Sequence, residues 1–128
     1  MDGLLLDTHS LIWWLLGNNR LSTRAAAAIA EADPIWVSAS SAWEIATKVR
    51  IGKLPDMAER MAGYRRDLEL EGFRTLAIDQ RHALRAGALP GRHGDPFDRI
   101  LAAQALIEGL TVVTRDPAIA KFGCKVLW

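Results

Sequence analysis

The chain has a single cysteine, Cys124, among its 128 residues. One thiol cannot build a disulfide framework, so an apolar core has to hold the fold, and a lone cysteine suits a reducing compartment. No apolar run approaches the roughly 20 residues that span a bilayer; the block Leu11 to Leu16 stops at Gly17-Asn18-Asn19. The opening Met1-Asp2-Gly3-Leu4-Leu5-Leu6-Asp7 lacks the basic stretch of a secretory leader, so a cytoplasmic protein without a membrane partner is expected. Charge of one sign is also missing. Sixteen Lys and Arg face fifteen Asp and Glu, a net charge of +1, and no polybasic tail dictates a nucleic-acid partner. There is no Gly-rich phosphate loop or dinucleotide fingerprint, and no Gly-x-Ser-x-Gly elbow surrounds Ser38, Ser40 or Ser41. His9, His82 and His93 show no zinc spacing with Cys124 and read as surface or packing residues. Cys124 itself reads as a small buried hydrophobe.

What the chain does have is an alternation of short apolar runs with helical periods. Half of its residues are hydrophobic and 24% are charged, a globular balance with enough apolar content to offset chain entropy. The length predicts one domain over residues 1–128. Gly3 to Leu6 reads as a buried strand, followed by a helix over about Thr8 to Leu16. Ser22 is placed to cap an Ala-rich helix from Thr23 to Glu31, which Asp33-Pro34 breaks. Ile35 to Ser38 is a second strand. Ser40 or Ser41 is expected to cap a helix to about Arg50, ended by Gly52. Asp56 to Glu71 reads as one long amphipathic helix, with Met57, Met61, Tyr64 and Leu68 on one face, closed by Gly72. Phe73 to Ile78 is a weaker third strand. Asp79 caps a helix to about Gly87, and 88–94 is a loop. Asp95 and Pro96 open a helix to about Glu108 as N-cap and first helical residue. Thr111 to Thr114 is a fourth strand, and 125–127 a candidate last one. This order predicts an α/β fold: one mostly parallel sheet with helices on both faces.

In open α/β sheets the functional crevice lies beyond the carboxyl ends of the strands. Asp7 follows the first strand, Glu44 lies early in the helix after the second, and Asp116 follows the fourth. Asp98 stands in the first turn of the helix that feeds the fourth strand and shares a face with Leu101, Ala102 and Ala105. Each has an ordinary structural role open to it. Asp7 can cap a helix, Glu44 can pair with Lys48, Asp98 complements a helix dipole, and Asp116 before Pro117 is a common turn residue. Four carboxylates at one sheet edge nevertheless repel, at about 1 kcal/mol per close pair in water and about 4 at an effective dielectric near 20. A hard divalent cation, Mg²⁺ or Mn²⁺, offsets this and can activate water for phosphoryl transfer. Lys48, Arg50, Lys53, Arg60, Arg65 and Arg66 either flank that pocket and hold phosphates or form a solvated face balanced by Glu59, Asp67, Glu69 and Glu71. Trp13, Trp14, Trp36 and Trp43 sit in apolar runs and read as core or interface residues. The stretch Trp13 to Leu16 is more apolar than a domain this small can bury, and a homodimer is expected.

Together these segments resemble PIN-domain nucleases, and most closely the VapC-like toxins of type II toxin–antitoxin pairs. Leu4-Leu5-Leu6-Asp7-Thr8-His9 is similar to the opening strand, and Val37-Ser38-Ala39-Ser40-Ser41-Ala42-Trp43-Glu44 to the second motif. Asp95-Pro96-Phe97-Asp98-Arg99-Ile100-Leu101-Ala102-Ala103-Gln104-Ala105 is the most specific match, and Val113-Thr114-Arg115-Asp116 is similar to the fourth motif. The resemblance covers essentially the whole chain. It implies a three-layer α/β/α sandwich around a small parallel sheet, a metal-dependent RNA endonuclease, and a small antitoxin whose peptide occupies the groove. Asp7, Glu44, Asp98 and Asp116 match the acidic positions that bind Mg²⁺ or Mn²⁺. Asp7 and Asp98 are then direct ligands, Asp116 completes the shell or holds a second ion, and Glu44 orients or deprotonates the attacking water. Thr114 matches a supporting hydroxyl. Asp95 recurs in the motif, and its capping role accounts for it. Three other readings stay open: an RNA-processing nuclease outside a toxin–antitoxin pair, a receiver-like phosphoacceptor, and a catalytically silent interaction module.

Overall fold

The computed structural model of the chain describes residues 3–128. Met1 and Asp2, which open both the leader argument and the expected 1–128 domain, lie outside the described residues. Five short strands form the sheet: β1 (Leu4–Leu6), β2 (Ile35–Ser38), β3 (Arg74–Leu76), β4 (Thr111–Val113) and β5 (Val126–Leu127). They lie in the order β3-β2-β1-β4-β5, and every pairing is parallel. Leu4, Leu5 and Leu6 pair with Ile35, Trp36 and Val37 on one side and with Thr111, Val112 and Val113 on the other. The central strand is therefore apolar at every position, because both of its faces are covered.

Alternate side chains feed two cores. Leu4, Leu6, Ile35, Val37 and Val113 point to the layer of α1 (Thr8–Leu16), α2 (Thr23–Glu31), α3 (Ala39–Arg50) and α4 (Tyr64–Glu71), where Leu11, Ile29, Ile45, Met57 and Leu68 meet them. Leu5, Leu76 and Val112 point to the layer of α6 (Pro96–Glu108) and α7 (Pro117–Lys121), where Leu101, Ala105 and Ile119 pack. Ahead of α6 and packed on it lies α5 (Gln80–Ala88). This is the expected three-layer α/β/α sandwich. Gly3, at φ +119°, lets the chain enter β1, since a Cβ there would collide with the Pro34 carbonyl.

Four expectations are revised. Ser38, the last residue of β2, caps α3 instead of Ser40 or Ser41: its hydroxyl accepts from the Ser40 backbone N–H at 3.1 Å. Strand thus passes into helix without a loop, and Ser41 is freed to bond Thr8, Oγ to Oγ1 at 3.0 Å. The long helix over 56–71 is two pieces, a 3₁₀ helix over Pro55–Gly63 and then α4. Pro55 opens the first, and Gly63, a poor helix former, separates it from a turn that buries Tyr64 and Leu68. Helix α7 has five residues, too short to show a period, although Asp116-Pro117 repeats the cap signature of Asp95-Pro96. Trp43 is not a core residue: it is 64% exposed, its ring edge-on to Phe97 at 4.9 Å. Trp13, by contrast, is buried.

Candidate metal and active site

The strand order reverses direction at β1: the chain builds outward to β2 and β3, then returns to β4 on the other side. A crevice opens at such a switch point, and Asp7 and Asp116 emerge on its two sides. Asp7 leaves β1 in extended conformation and caps α1, its Oδ1 accepting from the Ser10 N–H at 2.7 Å. The Asp7 N–H and the Ser10 hydroxyl both donate to the Val113 carbonyl, at 3.2 and 2.8 Å, which fastens this corner to β4. Asp116 caps α7 through the Ala118 N–H at 2.9 Å and donates its own N–H to the buried Thr114 hydroxyl at 3.0 Å. Asp7 and Asp116 line one cavity of 330 Å³ with His9, Trp13 and Arg115. The Arg115 guanidinium lies over the Trp13 ring at 4.7 Å and brings a cation to the rim.

Asp98 reaches the same region from α6. Asp95 takes the cap, accepting from the Phe97 N–H at 2.9 Å, so Asp98 stands one turn inside. Burial pushes its carboxyl above the usual range; the neighbouring charges of Asp95 and Asp116 push the same way, and only His93 pulls back. His93 Nε2 lies 2.7 Å from Asp98 Oδ2. Among the described residues, the three ligand atoms that gather within 4.8 Å of one another belong to His93, Asp95 and Asp98, not to Asp7, Asp98 and Asp116.

Glu44 is buried on α3, three residues after the Ser41 that ties this helix to Thr8. Its Oε2 meets Lys48 Nζ at 2.6 Å, and it does not line the cavity shared by Asp7 and Asp116. The structure therefore joins Asp7 with Asp116 by shape and Asp116 with Asp98 by charge, while Glu44 makes the pairing that ordinary helix spacing allows. Lys48 is the basic residue of 48–66 that meets a site acid; Arg60 pairs with Asp67 at 3.9 Å, and Arg50, Lys53, Arg65 and Arg66 are exposed. Cys124 is half-buried, its thiol pushed up by burial to about 11.

Two residues carry more of this site than sequence reasoning assigned them. His93 lies in a loop two positions before a cap, from where a chain can fold back over the first helical turn; that spacing was the available signal. Arg99, on the next position after Asp98, donates to the carbonyls of Ala86 at 2.9 Å, His93 at 2.8 Å and Leu89. It thereby holds the loop that presents His93. The aspartate oxygens are donors that suit a hard divalent cation, while the His93 imidazole is a ligand more often found on borderline metals. The carboxyl of Asp98 is raised chiefly because burial disfavours its charged form.

The family model of the PIN domain matches residues 4–123. Ribonuclease VapC22 of Mycobacterium tuberculosis (strain ATCC 25618 / H37Rv) is 36% identical over 117 residues, covering 91% of this chain and 88% of that protein. In fold the chain is similar to the crystal structure of FitAcB from Neisseria gonorrhoeae, with a TM-score of 0.73 at 21% identity over 98% of this chain and 96% of that one. It is also similar to VapBC2 from Rickettsia felis bound to a DNA fragment from their promoter, with a TM-score of 0.72 at 16% identity over 99% and 98%. A toxin–antitoxin complex from Klebsiella pneumoniae gives 0.69 at 23% identity over 98% and 96%.

Proposed function

The chain belongs to the PIN domain family, and from that premise we propose that it is a metal-dependent RNA endonuclease, the toxin of a type II toxin–antitoxin pair. What supports this reading is that Asp7 and Asp116 line one cavity at the switch point of a parallel sheet, with Asp98 near enough for the charge of Asp116 to act on it. Asp7, Asp98 and Asp116 would hold Mg²⁺ or Mn²⁺. When bound, that ion supplies an activated water and a counter-charge for the phosphate.

The chain's own groups do the remaining work. The backbone N–H bonds that occupy Oδ1 of Asp7 and Oδ1 of Asp116 fix both carboxylates without side-chain freedom. Thr114 holds the turn that presents Asp116. Glu44, whose Oε2 is paired with Lys48, would orient the attacking water or take its proton. In-line attack on the scissile phosphate needs positioning more than covalent help from the protein.

A small antitoxin inhibits the enzyme, as the Klebsiella pneumoniae relative was solved as a toxin–antitoxin complex. Its peptide covers apolar surface and sets a basic side chain near Asp7 or Asp98, where a cation offsets the same charge as the metal. The expected homodimer would use apolar surface that the fold leaves open; Trp14, Leu15 and Leu16 are half-buried. Trp13 is buried within the molecule, and the large apolar side chains left exposed include Trp43, Ile78 and Leu84. Trp43 and Ile78 line an apolar cleft between α3, α5 and α6, which we assign to a second copy of the chain. Light scattering at tens of micromolar should return the dimer mass.

The test of the activity is sequencing of RNA ends after incubating a mixed RNA pool with purified protein and Mn²⁺, beside Asp7→Asn. Discrete new ends in the first sample alone are expected; identical end profiles would remove the nuclease. Co-expression with the small protein encoded immediately upstream tests the toxin role. If that protein neither co-purifies nor suppresses cleavage, the enzyme is an RNA-processing nuclease outside such a pair.

A further inference from the structure

A second cleft, of 320 Å³, opens beside the acids, between the loop that follows α5 and helix α7. Its walls include Arg92 and His93 from the loop, and Ala118, Lys121 and Phe122 from the α7 side. Both walls lead directly to the candidate metal site. His93 bonds Asp98, and the N–H of Ala118 caps Asp116. Whatever fills this cleft therefore touches the residues that bond Asp98 and Asp116.

The lining has the chemistry of a nucleotide site. Arg92 and Lys121 are exposed, and among the described residues neither makes an ion pair. Two free cations facing a shared hollow suit the oxygens of a phosphate. Phe122 adds an aromatic face. The Arg99 guanidinium occupies one side of its ring at 5.4 Å, and the His93 ring lies tilted to it at 5.9 Å. An aromatic ring backed by arginine, with cations beside it, is the usual platform for an unstacked base. The wall is also firmly set, because the three carbonyl bonds of Arg99 hold the loop from Ala86 to His93 on α6.

We propose that this cleft is a nucleotide subsite for single-stranded RNA. Arg92 and Lys121 hold the phosphate next to the scissile one, and Phe122 stacks a base splayed out of the strand. The subsite rests on the ribonuclease reading and deepens it by naming where one nucleotide beside the scissile phosphate is held; a duplex keeps its bases stacked and cannot use Phe122. It also divides the labour of charge. The acids hold the metal at the scissile phosphate, and the neighbouring phosphate, which those same acids would repel, is met by the two cations.

The experiment compares wild type, Arg92→Ala/Lys121→Ala, Phe122→Leu and Arg24→Ala on a short mixed-sequence single-stranded RNA with Mn²⁺. Arg24 is an exposed cation on α2, in the layer on the opposite face of the sheet, and controls for loss of charge alone. Melting curves first establish that each variant is folded. For the double variant KM should rise roughly tenfold or more with kcat nearly unchanged, and the slope of log KM against log salt should flatten by about 0.7 because one phosphate is no longer neutralised. Phe122→Leu should raise KM about five- to hundredfold, the range of one base stack removed, and should abolish photocrosslinking of 4-thiouridine RNA to the peptide carrying residue 122. Arg24→Ala should behave as wild type. If wild type cleaves and the double variant keeps its KM and salt slope, the subsite is wrong and the ribonuclease stands. If wild type neither cleaves nor crosslinks, the ribonuclease reading falls and the subsite falls with it.

Discussion

Asp79 and Asp98 stand in the opening turns of α5 and α6, two helices that pack on one another, and their surroundings push them in opposite directions. Asp79 is satisfied by its own segment. Its Oδ1 accepts from the N–H groups of Arg81 at 2.9 Å and His82 at 3.2 Å, and its Oδ2 accepts from the Arg81 guanidinium at 2.8 Å. Those bonds, the Arg81 side chain foremost, hold the carboxyl at about 2 against an ordinary 3.8. Asp98 has given up the capping position to Asp95, has His93 as its partner, and is pushed up by burial and then by Asp95 and Asp116. A carboxylate whose bonds are closed locally belongs to the architecture. One that is buried beside a crevice with other carboxylates close by is where an external cation has most to gain.

The largest expected effect separates the two directly. Asp98→Asn should lower metal-dependent RNA cleavage by at least about 100-fold, since even outer-shell changes at metal sites cost about 10- to 100-fold. Asp79→Ala should leave kcat/KM within about twofold, as a surface change away from the site does. Equal losses in the two variants would erase the contrast. Next in size is the metal's effect on stability. Mg²⁺ or Mn²⁺ at one hundred times its Kd should stabilise the wild type by roughly 2.7 kcal/mol, and Asp79→Ala equally, while calorimetric melts of Asp98→Asn with and without metal should superimpose.

Urea unfolding without metal gives a smaller effect of different origin. Asp7→Ala should cost about 1 kcal/mol, because the α1 cap is removed. Asp98→Asn should cost nothing or stabilise, because a carboxylate in a repulsive setting disappears; a loss matching that of Asp7→Ala would make Asp98 a structural residue. The smallest effect is in the pH profile of the metal-free protein. The folded value of Asp79 lies below its unfolded value, so its contribution is present above about pH 4 and lost as pH falls toward 2. The folded value of Asp98 lies above its unfolded value, so it destabilises at neutral pH, and that penalty is relieved as pH falls through its folded value toward 3.8. Unfolding curves for Asp79→Ala and Asp98→Asn across this range should therefore differ from wild type with slopes of opposite sign.

Much of the architecture was legible because local chemistry dictates it. Ser22, Asp79 and Asp95 each cap the helix that their side chains suit, and Gly72 and Gly109 close helices in the left-handed conformation that glycine tolerates. The 56–71 segment reads as one helix in the sequence because a 3₁₀ helix and an α-helix in series imitate a single apolar stripe. The contribution of His93 was hidden for another reason: a histidine in a loop has no period, and its partner is chosen by how the loop folds back.

The sequence by itself determined where most strands and helices fall, several of the residues that cap them, and the four carboxylates worth following. Those properties depend on neighbours within a few positions, where the chain has little freedom. Only the tertiary structure decided that Asp7 and Asp116 share a cavity, that Asp116 bears on Asp98, and that Arg99 delivers His93. It also set Arg92, Lys121 and Phe122 around one hollow. These relations join residues from different crossovers, and sheet order places them: β1 between β2 and β4 turns distant stretches of chain into two sides of one crevice.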